Sequence, residues 1–190
     1  MNSKTTIIYS LKNSAEQFNN LISNLNKVEF EININNKWSA GQDLVHLIKV
    51  LQILNVGYLI PKPLLGIIYG NNKKEQRSFE HLQALYKKAL ENGPKSPSIY
   101  IPKPVLFEDK SSLIKKHQLL HEKFIEKINK HSDVELDNYS LPHPILGKVS
   151  LRELAIFTSF HTIHHFELLK LKLNSYDKSI SNQIPLIGKD

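Results

Sequence analysis

The sequence carries nine histidines, and three of them cluster as His161, His164 and His165. In a helix turning about 100° per residue, His161 and His165 stand one above the other on a single face. Arg152, Ser159, Glu167 and Lys170 project from the opposite side of the same wheel, while Leu154 and Leu168 flank the pair. The two imidazoles are therefore expected to point into a core. They cannot both be charged there, and each neutral ring has one donor and one acceptor to satisfy. A divalent metal ion meets that demand, because i, i+4 spacing brings two nitrogens within reach of one ion. His164 is turned by about 60 to 100° from its neighbours and stands as a reserve ligand.

A third nitrogen is available on another apolar stretch. His46 falls beside the apolar side made by Leu47, Val50 and Leu54, so it too is expected to face inward. Three histidines from two helices leave coordination positions open for water or substrate, the pattern of a catalytic rather than a structural metal. The residues alone leave a plainer alternative open, in which each is a hydrogen-bonded core histidine. The chain has no cysteine, which removes disulfides, thiolate zinc sites, iron–sulfur clusters and cysteine nucleophiles together. Any metal must be held by nitrogen and oxygen.

The elements that would position these residues are helical, since no segment shows sustained period-two alternation; the expected fold class is all-α. A first helix lies within Lys4 to Asn26. Ser39-Ala40-Gly41-Gln42 has the form of a capping box preceded by Trp38, and it opens a second helix that runs to about Leu59, where Pro61 and Pro63 stop it. Leu64 to Tyr69 is expected as an apolar turn or short helical extension. A third helix covers about Lys73 to Glu91, and the proline-rich Gly93 to Pro104 reads as an extended connection. A helix follows from about Asp109 to His131, with Leu113, Leu120, Phe124 and Ile128 on its buried face. Asp133 to Lys148 is expected to be irregular, and the last helix runs from after Ser150 to about Leu173. These pieces predict one four-helix-bundle domain over residues 1–174 with long second and third connections, and a loosely attached tail over 175–190.

The formal charge of +7 over 190 residues invites a nucleic-acid reading, but the lysines come as scattered pairs interrupted by acids, without interleaved aromatic platforms. No nucleic-acid partner is expected. The most apolar stretch, Leu44 to Ile60, is interrupted by His46, Lys49, Gln52 and Asn55, which argues against a membrane span. The first nine residues lack the apolar run of a signal peptide. A soluble, cytoplasmic protein is the expectation.

The order of these motifs resembles the DinB-like superfamily. The resemblance rests on Trp38-Ser39 with His46 following, on the run His143-Pro144-Ile145-Leu146-Gly147-Lys148-Val149-Ser150-Leu151-Arg152-Glu153, and on His161-Thr162-Ile163-His164-His165. It implies a four-helix bundle of up-up-down-down type with long crossover connections, and a divalent transition metal, zinc or nickel before others, on His46, His161 and His165. It also implies a thiol-dependent transferase that joins a small thiol to an electrophile. A metal-dependent hydrolase and a non-catalytic stress-response module are the alternatives. Where relatives often have an acidic or small polar residue shortly after the first histidine, this chain has Leu47-Ile48-Lys49-Val50. His143 matches the family's His-Pro element, read here first as a rigid turn and second as a binding group. No catalytic side chain is singled out. The apolar Leu64 to Tyr69 segment could serve a homodimer interface or fold as a buried turn.

Overall fold

The computed structural model describes residues 3–34, 37–72, 76–91 and 100–181. Four long helices form the bundle: α1 (Lys4–Asn24), α3 (Ala40–Gly57), α6 (Lys110–Asn129) and α8 (Leu151–Ser181). Shorter elements ride on the connections, namely α2 (Lys27–Glu31), α4 (Lys62–Tyr69), α5 (Phe79–Glu91), α7 (Asp133–Asn138) and a hairpin of β1 (Ser140–His143) and β2 (Gly147–Ser150). The all-α class and the long connections are as the sequence implied. No single helix among the described residues is long and apolar enough to cross a membrane; α3 and α4 reach that length only together, across a 103° bend.

The helix starts are specified locally. Ser39 accepts a hydrogen bond from Gln42 N at 3.2 Å while Ser39 N donates to Gln42 Oε1 at 3.0 Å, closing the expected capping box of α3. Ser150 and Glu153 close a second one at the start of α8, with Ser150 N donating to Glu153 Oε2 and Glu153 N donating to Ser150 Oγ, both at 3.0 Å. Glu153 is buried and also binds Arg77 through Nε at 2.8 Å and Nη2 at 2.7 Å. The S-x-x-E part of the run His143 to Glu153 is thus the N-terminal lock of the last helix.

Its His-Pro part is a hairpin rather than irregular chain. Ser140 pairs with Ser150 and His143 with Gly147 in antiparallel register. Gly147 has φ of 69°, a left-handed conformation that glycine adopts without a Cβ penalty. The other difference from the irregular Asp133–Lys148 expectation is α7, which a capping box of Ser132 and Glu135 initiates.

The helices pack in the cyclic order α1, α6, α3, α8, so α1 and α3 face each other diagonally, as do α6 and α8. The α3–α8 seam is the most thinly packed of the four. One apolar cluster fills one end of the bundle, with Leu11, Leu51, Phe124, Ile128 and Leu151 fully buried, and a second built on Phe18, Ile22, Phe30 and Leu44 fills the other.

The last helix departs from the expected two-faced pattern. Residues 151–162 are buried all round, because α1, α5, α7 and the hairpin cover this half. Arg152 and Ser159 are buried rather than exposed. Arg152 is neutralised by Asp133 at 2.7 Å and Asp137 at 2.5 Å, and Ser159 Oγ donates to Ile156 O at 2.8 Å. Only from Glu167 and Lys170 onward does the polar face reach solvent. The helix continues to Ser181, seven residues into the stretch expected as a tail, and residues 182–190 lie outside those described, as does most of the Gly93 to Pro104 connection. The third helix begins at Phe79, later than expected, with 73–75 also outside the described residues. Leu64 to Tyr69 belongs to α4, which buries Leu65 and turns Leu64, Ile67 and Ile68 outward.

Candidate metal centre

The thin α3–α8 seam is where the histidines meet. His161 Nε2 lies 3.3 Å from His46 Nε2 and 3.2 Å from His165 Nε2, and all three side chains are buried. The structure brings the three sequence-predicted residues His46, His161 and His165 together: among the described residues, they are the one group whose ligand atoms, all within 4.8 Å of one another, could hold a metal ion. His164 stays outside it, half-buried against Tyr86 and Phe160.

The other ring nitrogens settle the tautomers. His46 Nδ1 lies 3.1 Å from Tyr100 O, and a carbonyl can only accept, so Nδ1 carries the proton. His165 Nδ1 lies 3.0 Å from Asp43 Oδ1, and donates to that carboxylate by the same reasoning. The Nε2 lone pairs of both rings then face His161 Nε2. A proton on His161 could satisfy one neighbour and would leave the other lone pair buried and unmet; one cation serves all three. Tetrahedral nitrogen ligands at about 2.0–2.1 Å from zinc sit roughly 3.3–3.4 Å apart, close to the spacings found. The donor set fits a divalent transition metal, and imidazoles suit zinc, nickel, copper and iron.

Burial keeps the His46 and His161 rings as neutral ligands. Burial pushes the His46 pKa down to about 4, helped by the nearby His165. Burial drives His161 well below the ordinary value, with His165 and His46 adding to it. His164 is lowered to about 4, again chiefly by burial. For Asp43 burial works in the opposite sense, but its hydrogen bond to His165 and the Lys172 charge outweigh that and hold the carboxyl below its usual value.

Asp43 is the residue the sequence reading missed. It stands three positions before His46, on the same side of α3, and Lys172 Nζ grips its second oxygen at 2.6 Å and Trp38 O at 2.6 Å. Carboxylate-to-histidine contacts of this type fix the tautomer and raise the basicity of a ligand. An acid one helical turn before an inward histidine was the available signal. Trp38, expected ahead of the α3 capping box and as part of the family motif, also packs on the cluster. Its ring stacks at 6° to His165 with centroids 6.4 Å apart and leans on His46 at 5.0 Å, closing one side of the cluster.

Two cavities flank the centre. One, of about 460 Å³, is lined by His46 and His161 together with largely apolar side chains of α3, α8 and the hairpin, among them Val50, Ile53, Leu141 and Phe157. The other, of about 400 Å³, reaches all three histidines and is lined also by Lys37, Trp38, Asp43, His164 and Lys172. His143 lines the first. Its Nδ1 accepts from Ile145 N at 3.2 Å and Leu146 N at 3.0 Å, which fixes the turn, and burial lowers its pKa to about 4.

A sequence model of the DinB superfamily matches residues 10–169. The chain belongs to the DinB superfamily. That span of this DinB superfamily protein runs from α1 into α8 and includes His46, Asp43, His143, His161 and His165. No curated protein matches the chain.

Proposed function

We propose that this DinB superfamily protein is a metal-dependent enzyme in which a divalent transition metal on His46, His161 and His165 activates a small thiol for transfer to an electrophile. The observation that carries it is the convergence of three imidazole nitrogens at the wall between two cavities of different character. When bound, the metal supplies Lewis acidity that lowers the pKa of a thiol in an open position.

The chain's own groups do the rest. Asp43 and Tyr100 O hold the His165 and His46 rings by their Nδ1 protons, so the ligands are oriented before any metal arrives. Lys172 balances Asp43 and, together with the His165 hydrogen bond, holds that carboxyl below its usual value. Lys37 and Lys172 give the 400 Å³ cavity a cationic rim that favours a thiol carrying carboxylates. The enzyme needs no cysteine of its own, and has none.

The test is elemental analysis of untagged protein purified without chelator, followed by a screen of small thiols against electrophilic acceptors. One equivalent of a transition metal, with turnover that requires both thiol and metal, is the expected result. Protein that neither contains nor takes up zinc, nickel or manganese would reject the metal centre. Stoichiometric metal with no thiol-dependent turnover would reject the transfer chemistry.

A further inference from the structure

The two cavities share His46, His161 and Tyr86 in their walls and differ in everything else. The 400 Å³ cavity contains the charged groups Lys37, Asp43 and Lys172. Among the described residues, the lining of the 460 Å³ chamber contains no Asp, Glu, Lys or Arg. Its volume falls within the range of small-molecule sites, which are mainly apolar with a few placed polar groups. An ion moved into such a chamber would lose its hydration without finding a counter-charge, whereas an apolar body would gain by leaving water.

One of the placed polar groups can be identified. His143 Nδ1 is occupied as an acceptor of two backbone N–H groups. A neutral ring in that state carries its proton on Nε2. This Nε2–H has no hydrogen-bond partner among the described residues, and it is not among the side-chain atoms sealed from solvent. The ring packs edge-on against Phe157 at 4.6 Å, and Phe157 stacks on His161 at 5.5 Å and 18°. A fixed donor therefore stands on the chamber wall, one aromatic ring away from a metal ligand.

We infer that the 460 Å³ chamber is the electrophile subsite and takes an uncharged, predominantly apolar molecule whose carbonyl or other hydrogen-bond acceptor is held by His143 Nε2–H. The thiol then reaches the centre from the other, charged cavity. This assignment of sides rests on the thiol-transfer reading above, but the ligand class of the chamber follows from its lining alone. His143 acts here as a binding residue, and the turn it closes is what holds its donor in place.

Binding of a series of methyl ketones, 2-butanone, 2-hexanone and 2-octanone, to the purified protein by calorimetry tests this, with metal content measured on the same samples. Affinity should rise about tenfold for each two methylenes added, and n-alkyltrimethylammonium ions of matched length should bind at least tenfold more weakly. His143→Asn keeps a side-chain acceptor for the turn and removes the ring donor. It should weaken every ketone about fivefold to tenfold while leaving the chain-length slope unchanged. Ile53→Glu places a charge at a partly exposed wall position and should weaken the longest ketone most, without changing metal content.

Ketone affinity that ignores chain length, or cations that bind as well as ketones, would overturn the inference. Ketone binding unchanged in His143→Asn would overturn the role of His143. Metal present with no ketone binding would sink the chamber assignment and leave the metal reading standing. Ketone binding in protein without metal would do the reverse.

Discussion

The bundle buries two pairs of histidines at i, i+4 spacing, and only one is equipped for a metal. On α8, His161 and His165 meet His46 across the α3–α8 seam, with a carboxylate on His165, a carbonyl on His46 and a cavity on each side. On α6, His117 and His121 pack edge-to-face with ring centroids 4.7 Å apart, facing α1. Among the described residues, their one side-chain hydrogen-bond partner is Asn19, whose Oδ1 lies 2.8 Å from His117 Nδ1. His117 Nε2 and both nitrogens of His121 have no hydrogen-bond partner among the described residues. Spacing brings two nitrogens together in both places. A third ligand, an orienting acceptor and an open side distinguish a metal centre from a buried polar pair.

The largest expected effect comes from deleting one ligand in each pair. His161→Ala should abolish stoichiometric metal binding, because it removes the nitrogen that both other ligands face. His117→Ala should leave one equivalent of metal in place. Both variants should keep the helical circular dichroism spectrum, with a stability loss of about 1–3 kcal/mol for a buried polar deletion. Metal lost from His117→Ala and kept in His161→Ala would invert the comparison.

Acid should weaken the α6 pair next. Burial lowers the His121 pKa to about 4 and takes His117 well below its ordinary value, with His121 contributing. The unfolded chain takes up these protons as pH falls through about 6.5, and the folded chain does not until much lower. Stability is therefore full above pH 6.5 and declines as pH drops toward 4, by about 3 kcal/mol for His121 alone. Burial also depresses His46 and His161, so the difference in urea midpoint between the wild type and His121→Leu, taken at pH 7 and at pH 4.5, isolates the His121 share of this decline. A difference that does not change with pH would show that His121 is not held neutral.

A smaller effect should follow from the orienting acceptor. Asp43→Asn removes the charge that faces His165 and should weaken metal about 10- to 100-fold, read by competition with a chromophoric chelator. The reciprocal change sharpens the contrast. Asn19→Asp gives His117 a carboxylate on Nδ1, which orients the ring without adding a ligand beside its Nε2, so the chain should still bind one equivalent, not two.

How far the sequence reveals this difference depends on whether a signal is local. The α3 capping box, the proline stop after Leu59 and the i, i+4 pair on α8 are properties of adjacent residues, and each appears where its spacing places it. The inward turn of His46 was legible because its neighbours are apolar. The burial of Arg152 and Ser159 was not, because it depends on α7, α5 and the hairpin folding over α8 from elsewhere in the chain. The same limit hid the α6 pair, because Leu113, Leu120, Phe124 and Ile128 make a sufficient apolar face without His117 and His121. Asp43 lay between the two cases: its spacing from His46 was visible, but its partner His165 is 122 positions away.

The smallest expected change is also the one that tests whether the α6 pair has any use for its nitrogens. His121 is 3% exposed, and neither ring nitrogen has a partner among the described residues. Replacing an unsatisfied buried polar group by an apolar one of similar shape is nearly neutral or stabilising. His121→Leu should therefore raise stability at pH 7 by about 1 kcal/mol and remove its share of the acid decline, with metal stoichiometry unchanged. Urea denaturation at both pH values reads the two effects together. A loss of 2 kcal/mol or more at pH 7 would mean that His121 has a partner worth keeping, and the contrast between the two pairs would then lie in what they bind rather than in whether they bind.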